Sequence, residues 1–438
     1  MCMQINIKEL KMSNKAPKDT GGLQSNVRKS PYKLFVLTVL ISAIIYFTIY
    51  LFLGNGRFAD FFFIRSADFF MDFFNSIRDA AQGSEVYTER GVIYPPMANL
   101  IYLILSRFTP ESYNNSSFED RYSWPQYFTP LALVVLVTTA LAIIYFFLVY
   151  SNVESSSRLK RFAFAFLAFF NVPVLYMIER GNMIVFCLIA LLVYAFTYNS
   201  DNKRYRELGL IALAFAFSIK LYPVVFGWFL LADKRFKDAL RCLIYGVLML
   251  LIPSFFFGGP SCFVYVFLNI FSFSSGSGST LSVVLNFIHT PDTVQTIITL
   301  LAYLWVLICG LCFAVSPFVR ADKPWKTYAL GFVTILCVPS LTSIYSWAFL
   351  IIPLMLLCRQ KQFSRSDWVY AIFMTIPFAF LPFRFSFHVA PNTVIVYLMT
   401  AVLSVFAVID TVKDTSKFIS TNRSNGIKFK DYMRSLIK

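Results

Sequence analysis

Apolar runs long enough to cross a bilayer recur along this chain, and basic residues fill the gaps between them. That alternation limits the fold more than any other feature. Residues 33–53, KLFVLTVLISAIIYFTIYLFL, open the series; about 20 mainly apolar residues suffice to span a hydrocarbon core as a helix. Hydrophobic residues make up 58% of the chain and charged ones 14%. A soluble protein of 438 residues does not bury that much apolar surface, so lipid covers part of it. The fold class is an all-α integral membrane protein, a multi-span helical bundle. The 50 Phe residues suit lipid-facing helices with aromatic belts.

The net charge is +16. In a soluble chain this would suggest nucleic acid, but here Lys and Arg sit between apolar runs, so membrane topology accounts for them. The bilayer is the partner, and nucleic acid is not. The cysteines read as small hydrophobes: Cys309-Gly310-Leu311-Cys312 lies inside an apolar run. His289 and His388 are too isolated for a metal site.

Placing the basic loops on one side orders the spans. Residues 1–32 read as a disordered basic cytoplasmic tail, 33–411 as the transmembrane domain, and 412–438 as a second basic cytoplasmic tail. No small-residue cleavage site follows 33–53, so this run reads as an anchor. Loops 151–161, 199–206, 233–241, 320–326 and 359–365 carry the Lys and Arg and are expected inside. Since 199–206 and 233–241 share a side, 207–232 must return to its starting face. Its arms of about 13 residues are short for a full crossing. The expectation is a helical hairpin with Lys220-Leu221-Tyr222-Pro223 at its turn. The total is about twelve membrane segments with both ends cytoplasmic, and no sequence repeat at a fixed period is present.

One segment interrupts the series. Residues 54–127 are polar, aromatic and acidic, and the topology places them outside. Within them 68–82 has Phe69, Phe73, Ile77, Ala80 and Ala81 at helical spacing, with Asp68, Asp72, Asn75 and Asp79 on the adjoining face. That pattern predicts an amphipathic helix lying on the membrane. Pro95-Pro96 starts a second apolar stretch, 97–107, too short to span. A chain built only to cross a bilayer needs no such platform, whereas an enzyme working where lipid meets water does.

The residues that could carry chemistry follow from this layout. Asp68 and Asp72 lie one helical turn apart near the bilayer surface, at a helix start that favours an anion, and suit a general base; a solvated helix face is the plainer reading. Tyr94, before two prolines, is held extended. Arg180 occupies a very short external turn, Glu179-Arg180-Gly181-Asn182. Lys220 sits deep in apolar sequence, where a cation costs on the order of 2.5–3.5 kcal/mol; it suits an anionic partner such as a phosphate, unless it snorkels to the surface. Ser274–His289, with Gly276 and Gly278, reads as a mobile flap from which Asn286 and His289 reach a substrate, or as a plain connector. Arg384 and His388 face outside with the same ambiguity.

Asp68-Phe69, Gly83, Tyr87, Tyr94-Pro95-Pro96, Arg180-Gly181-Asn182 and Lys220-Leu221-Tyr222-Pro223 occur in an order and spacing that resembles glycosyltransferase family 87 over roughly residues 35–300. These are the polyprenyl-phosphate-mannose-dependent mannosyltransferases of the GT-C superfamily. The resemblance implies a GT-C type bundle whose first external loop carries the surface helices. It implies an inverting membrane hexosyltransferase that takes a sugar, such as mannose, from a polyprenyl-phosphate donor. The acceptor would be a glycan or glycolipid on the external face of the plasma membrane. The family's acidic residue maps to Asp68, with Asp72 second, its Gly-Asn pair to Gly181-Asn182, and its Lys to Lys220, with Tyr222 beside it. The family's Asn-Gln-Ser after the long loop has only Ser279–Ser282 and Asn286 to match it. No cofactor is implied beyond the lipid-linked donor. A lipid-linked glycan transporter, or a glycan polymerase or ligase, is the alternative reading.

Overall fold

The computed structural model describes residues 31–53, 69–275, 281, 285–286, 288–339, 344–381 and 391–424. Asp68, Gly276, Gly278, Arg384, His388 and nearly all of the expected N-terminal tail lie outside the described residues. Among the described residues every element is helical. In chain order they are α1 (Pro31–Leu53), α2 (Met71–Ala81), α3 (Glu85–Thr88), α4 (Pro96–Ser106), α5 (Glu111–Asn114), α6 (Phe128–Asn152), α7 (Arg158–Phe169), α8 (Val172–Arg180), α9 (Ile184–Thr197) and α10 (Lys203–Ile219). Then follow α11 (Trp228–Ala232), α12 (Phe236–Ser254), α13 (Cys262–Ser275), α14 (Asp292–Val319), α15 (Pro324–Leu336), α16 (Ile351–Cys358), α17 (Arg365–Thr375) and α18 (Pro391–Ser424). Short 3-10 helices at Phe118–Gln126, Tyr222–Gly227 and Ile344–Leu350 join some of them. The final helix runs through residues 412–424, where a tail was expected to begin.

Among the described residues, five helices are long and apolar enough to cross a membrane: α1, α6, α12, α14 and α18. A sixth crossing comes from α7 and α8 taken together, bent by 53°. The bend has a local cause. Pro173 lies in the first turn of α8, and Asn171 caps that helix by accepting from the Val174 N–H at 3.2 Å. The same amide donates back to the Leu167 and Ala168 carbonyls, so the break leaves few backbone groups unpaired. The expectation was about twelve membrane segments; among the described residues the other apolar stretches fold as shorter helices. α9 shows why they can be short. It is apolar all round, and Cys187, Leu188, Leu191 and Tyr194 are fully buried by protein, not lipid. By contrast α6 and α14 expose Leu136 and Leu300 by about two-thirds of their surface.

The basic loops gather at one end of the bundle. The Tyr32 hydroxyl donates to the Lys160 carbonyl. Arg359 donates to the Asn152 carbonyl at 3.0 Å and stacks over Phe196 at 4.3 Å. Arg235 donates to the Tyr198 carbonyl at 2.6 Å, while Arg241 pairs with Glu207. Those last contacts show that the chain leaves along α10 and returns by residue 235 to the same end. The hairpin expected over 207–232 is therefore present, with Lys220 at its far tip. α10 has 17 residues, so the tip lies roughly 25 Å from the basic end.

At that opposite end sits the platform. α2 and α4 form where the periodicity placed them, with Pro96 at the first position of α4. α2 does not lie on a lipid surface, however. Met71, Phe73, Phe74, Ser76, Ile77, Arg78 and Ala80 are all buried, because α4, the 118–126 helix and α8 cover it on several sides. The buried Arg78 pairs with Asp79 at 2.7 Å and stacks over Trp124 at 4.8 Å. Burial is the main cause that raises the Asp79 carboxyl above its usual range, against the pull of Arg78.

Candidate active site

Two short segments distant in sequence meet at this end: residues 70–73, entering α2, and residues 179–182, between α8 and α9. Phe70 adopts a left-handed backbone (φ 54°) and donates its N–H to the Glu179 carbonyl at 2.7 Å. Such a conformation costs a non-glycine residue roughly 1–2 kcal/mol. Its persistence marks a junction that the surroundings over-determine. Gly181 answers it from the other side. Its φ is +62°, and a Cβ there would lie 2.7 Å from the Phe73 Cβ. Only glycine meets both demands. α2 therefore starts against the end of α8, and Asp72 in its first turn faces Arg180.

Both carboxylate oxygens of Asp72 are engaged. The Arg180 guanidinium pairs with Oδ1, and Asn182 Nδ2 donates to Oδ2 at 2.7 Å. The Asn182 amide cannot turn round, because its Oδ1 accepts from the Ile184 N–H at 3.0 Å. Its Nδ2 also donates to the Tyr94 hydroxyl at 3.2 Å. The ion pair is half-buried, with about a fifth of each side chain exposed. Arg180 is thus fixed in position yet open to a ligand.

Tyr94 is held through its backbone. Its carbonyl accepts from the Tyr87 hydroxyl at 3.0 Å and from Asn99 Nδ2 at 3.3 Å. Asn99 also donates to the Tyr87 hydroxyl at 2.8 Å, while Asn269 ties the Tyr87 and Val92 carbonyls at 2.9 and 3.1 Å. Pro95 and Pro96 then carry the chain directly into α4. Burial, with Asp72 next in effect, holds the Tyr94 hydroxyl well above the usual tyrosine range, so it stays neutral. The Lys220 ammonium stands 4.3 Å from the centre of the Tyr94 ring, a cation–π distance. Lys220 terminates α10 in an extended conformation just before the Tyr222–Gly227 turn, which begins Tyr-Pro. Among the described residues no carboxylate lies within ion-pair distance of Lys220, although Asp72 is near enough to act on it electrostatically.

Six of the expected site residues, Asp72, Tyr94, Arg180, Asn182, Lys220 and Tyr222, therefore converge. Asp68 lies outside the described residues, and the helix expected from residue 68 begins at Met71. Asn286 and His289 are exposed and sit before α14. Asn286 accepts from Gln295 Nε2 at 2.8 Å. Among the described residues, no hydrogen bond or ion pair joins either of them to the Asp72 cluster. Among the same residues no three His, Cys, Asp or Glu side chains converge as a metal site would require.

Two aromatic residues went unforeseen. Tyr176 on α8 and Tyr345 in the 344–350 helix stack at 6.0 Å, 18° from parallel. Tyr345 lies close enough to interact electrostatically with Tyr94 and Tyr222, and Tyr176 with Arg180 and Asp72. They border the same cluster with half-buried rings. Nothing in their sequence neighbourhood marks them out among 24 tyrosines. Chemically, the cluster combines a carboxylate able to accept a proton, two cations able to hold an anion, and aromatic rings beside them.

A family model, glycosyltransferase family 87, matches residues 93–353, more than half of the chain. The match includes Tyr94, Tyr176, Arg180, Asn182, Lys220, Tyr222 and Tyr345, while Asp72 precedes it. No curated protein and no solved structure matches the chain.

Proposed function

Because this chain belongs to glycosyltransferase family 87, and so is a membrane glycosyltransferase, we propose that it moves a hexose such as mannose from a polyprenyl-phosphate donor to a glycan or glycolipid acceptor, with inversion at the anomeric carbon. The observation that carries this reading is one half-buried carboxylate, Asp72, paired with Arg180 and within electrostatic reach of Lys220. Asp72 takes the proton of the acceptor hydroxyl. That oxygen attacks the anomeric carbon opposite the phosphate, and the C–O bond to phosphate breaks with its electron pair on the leaving group. Arg180 and Lys220 neutralise the charge that develops there. Asn182 keeps Asp72 in line, and Tyr94 supports Lys220.

The same reading gives the chain a GT-C type bundle of about twelve membrane segments in the plasma (inner) membrane, with the basic end and both termini cytoplasmic. The 54–127 platform and the acceptor are then external. No cofactor is used beyond the lipid-linked donor. The first test is a donor panel on purified protein in liposomes, comparing polyprenyl monophosphate-linked with diphosphate-linked sugars and following new glycosidic product. Product from the monophosphate donor supports the proposal. Product from diphosphate donors alone would make the chain a polymerase or ligase. Movement of the lipid across the bilayer with no product would make it a transporter.

A further inference from the structure

Arg180 is already occupied. Its guanidinium is held by Asp72, the group that has to accept a proton. A carboxylate sharing a guanidinium holds a proton poorly, and one relieved of it takes a proton readily. The other Asp72 contact does not conflict with protonation in the same way, since Asn182 is a neutral amide anchored by its own bond to Ile184 N–H. Lys220 leans on a tyrosine ring instead of a carboxylate. The two cations thus stand in different states, Lys220 ready for an anion and Arg180 engaged.

We infer that Arg180 is a shared cation, passed from Asp72 to the phosphate of a bound donor as the sugar leaves, so that the carboxylate is released at the step in which it takes the acceptor proton. The inference rests on the donor reading above and adds an order to it. The charges set the direction of the exchange. A sugar-linked polyprenyl phosphate is a diester with one negative charge, which matches Asp72. As the sugar leaves, the phosphate gains a second negative charge and outcompetes the carboxylate for Arg180. Asp72 loses its guanidinium at the moment the acceptor proton must move to it. The balance is complete: the acceptor oxygen gains the sugar, the proton passes to Asp72, and the leaving phosphate keeps the electron pair beside Arg180 and Lys220. An interaction that strengthens as charge develops lowers the barrier, whereas one of constant strength lowers only KM.

The test measures binding alone, with sugar-free undecaprenyl monophosphate as the probe for the leaving group, on detergent-solubilised full-length protein. Removing the competing carboxylate should tighten binding. Asp72→Asn is expected to bind the probe about three- to tenfold more tightly than the unaltered protein. Asp72→Ala, as a second variant, should shift it in the same direction. Arg180→Gln should weaken binding at least tenfold, and adding Asp72→Asn to Arg180→Gln should restore nothing, because no guanidinium remains to be freed. Unchanged or weaker binding by both Asp72 variants, with the unaltered protein still binding, overturns the exchange and leaves the donor assignment standing. No binding of the probe by the unaltered protein would remove the donor assignment itself, and the exchange with it.

Discussion

Two buried ionic clusters lie at opposite ends of this molecule, and they are built on opposite plans. At the basic end Arg320 pairs with Asp410 at 2.8 Å and with Asp414 at 2.7 Å. Lys326 reaches Asp410 at 2.8 Å, and the Tyr370 hydroxyl donates to the same carboxylate at 3.2 Å. Two cations meet two carboxylates there, and Arg320 is 2% exposed. The cluster ties α18 to α14 and α15. At the site end, Asp72 bonds one cation directly, and the second cation rests on an aromatic face. That pair is also more open to solvent. The family match covers the cations of both clusters, but Asp410 and Asp414 lie beyond it. Charges that satisfy one another around a buried guanidinium act as a staple, whereas a cation held on an aromatic face beside a half-buried ion pair is disposed to meet an anion.

That contrast can be broken by paired substitutions. The largest effect is expected from Asp72→Asn, which should cut sugar transfer by roughly 10²–10⁴-fold while the thermal unfolding profile stays in place. Its counterpart, Asp410→Ala, should do the reverse. It takes from buried Lys326 its close carboxylate and leaves Arg320 with Asp414 alone, and breaking a buried pair in this way costs about 3–5 kcal/mol. A marked drop in unfolding temperature with unchanged turnover per folded molecule is the expected result. Equal losses of activity and stability in both variants would erase the distinction drawn here.

Smaller changes sharpen it. Gly181→Ala forces a Cβ toward Phe73 at a left-handed backbone position, so α2 must shift and Asp72 with it. Misplacement of that kind costs on the order of 10²-fold in kcat, with little change in how the basic end unfolds. Lys220→Met should raise KM for the donor about tenfold, worth about 1.4 kcal/mol, and Lys220→Arg should recover part of it. If KM stays constant and expression falls instead, Lys220 is a structural cation. Tyr345→Ala is expected to reduce kcat/KM only a few-fold, consistent with about 1 kcal/mol from one aromatic pair, and Tyr345→Phe should reduce it less.

Much of this architecture could be read from local patterns. The period of the apolar residues over 68–82 foretold α2, Pro95-Pro96 foretold the start of α4, and the sidedness of the basic loops foretold the return of 207–232 to its own end. Lys220 stood out because a cation deep in apolar sequence is costly unless something requires it; Arg180 stood out for its very short turn, and Asn182 through the family resemblance alone. The choice between Asp68 and Asp72 was not legible. Both fit one helical face on paper; the structure shows Asp72 against Arg180, while Asp68 lies outside the described residues. The burial of α2 was hidden for a related reason: an amphipathic stripe says that a face will be covered, not whether lipid or protein covers it.

Taken alone, the chain's residues decided the class of protein, the direction in which its loops face one another, and the segments rich enough in polar groups to hold chemistry. These depend on hydropathy and charge within about twenty residues, a range over which solvation acts directly. The tertiary structure decided which carboxylate meets which cation. Asp72 and Arg180 are 108 residues apart in the chain, and no local rule spans that distance. Their meeting required the close approach that Gly181 permits to Phe73, and the same packing placed Tyr176 against Tyr345, two tyrosines that nothing nearby in the sequence distinguished.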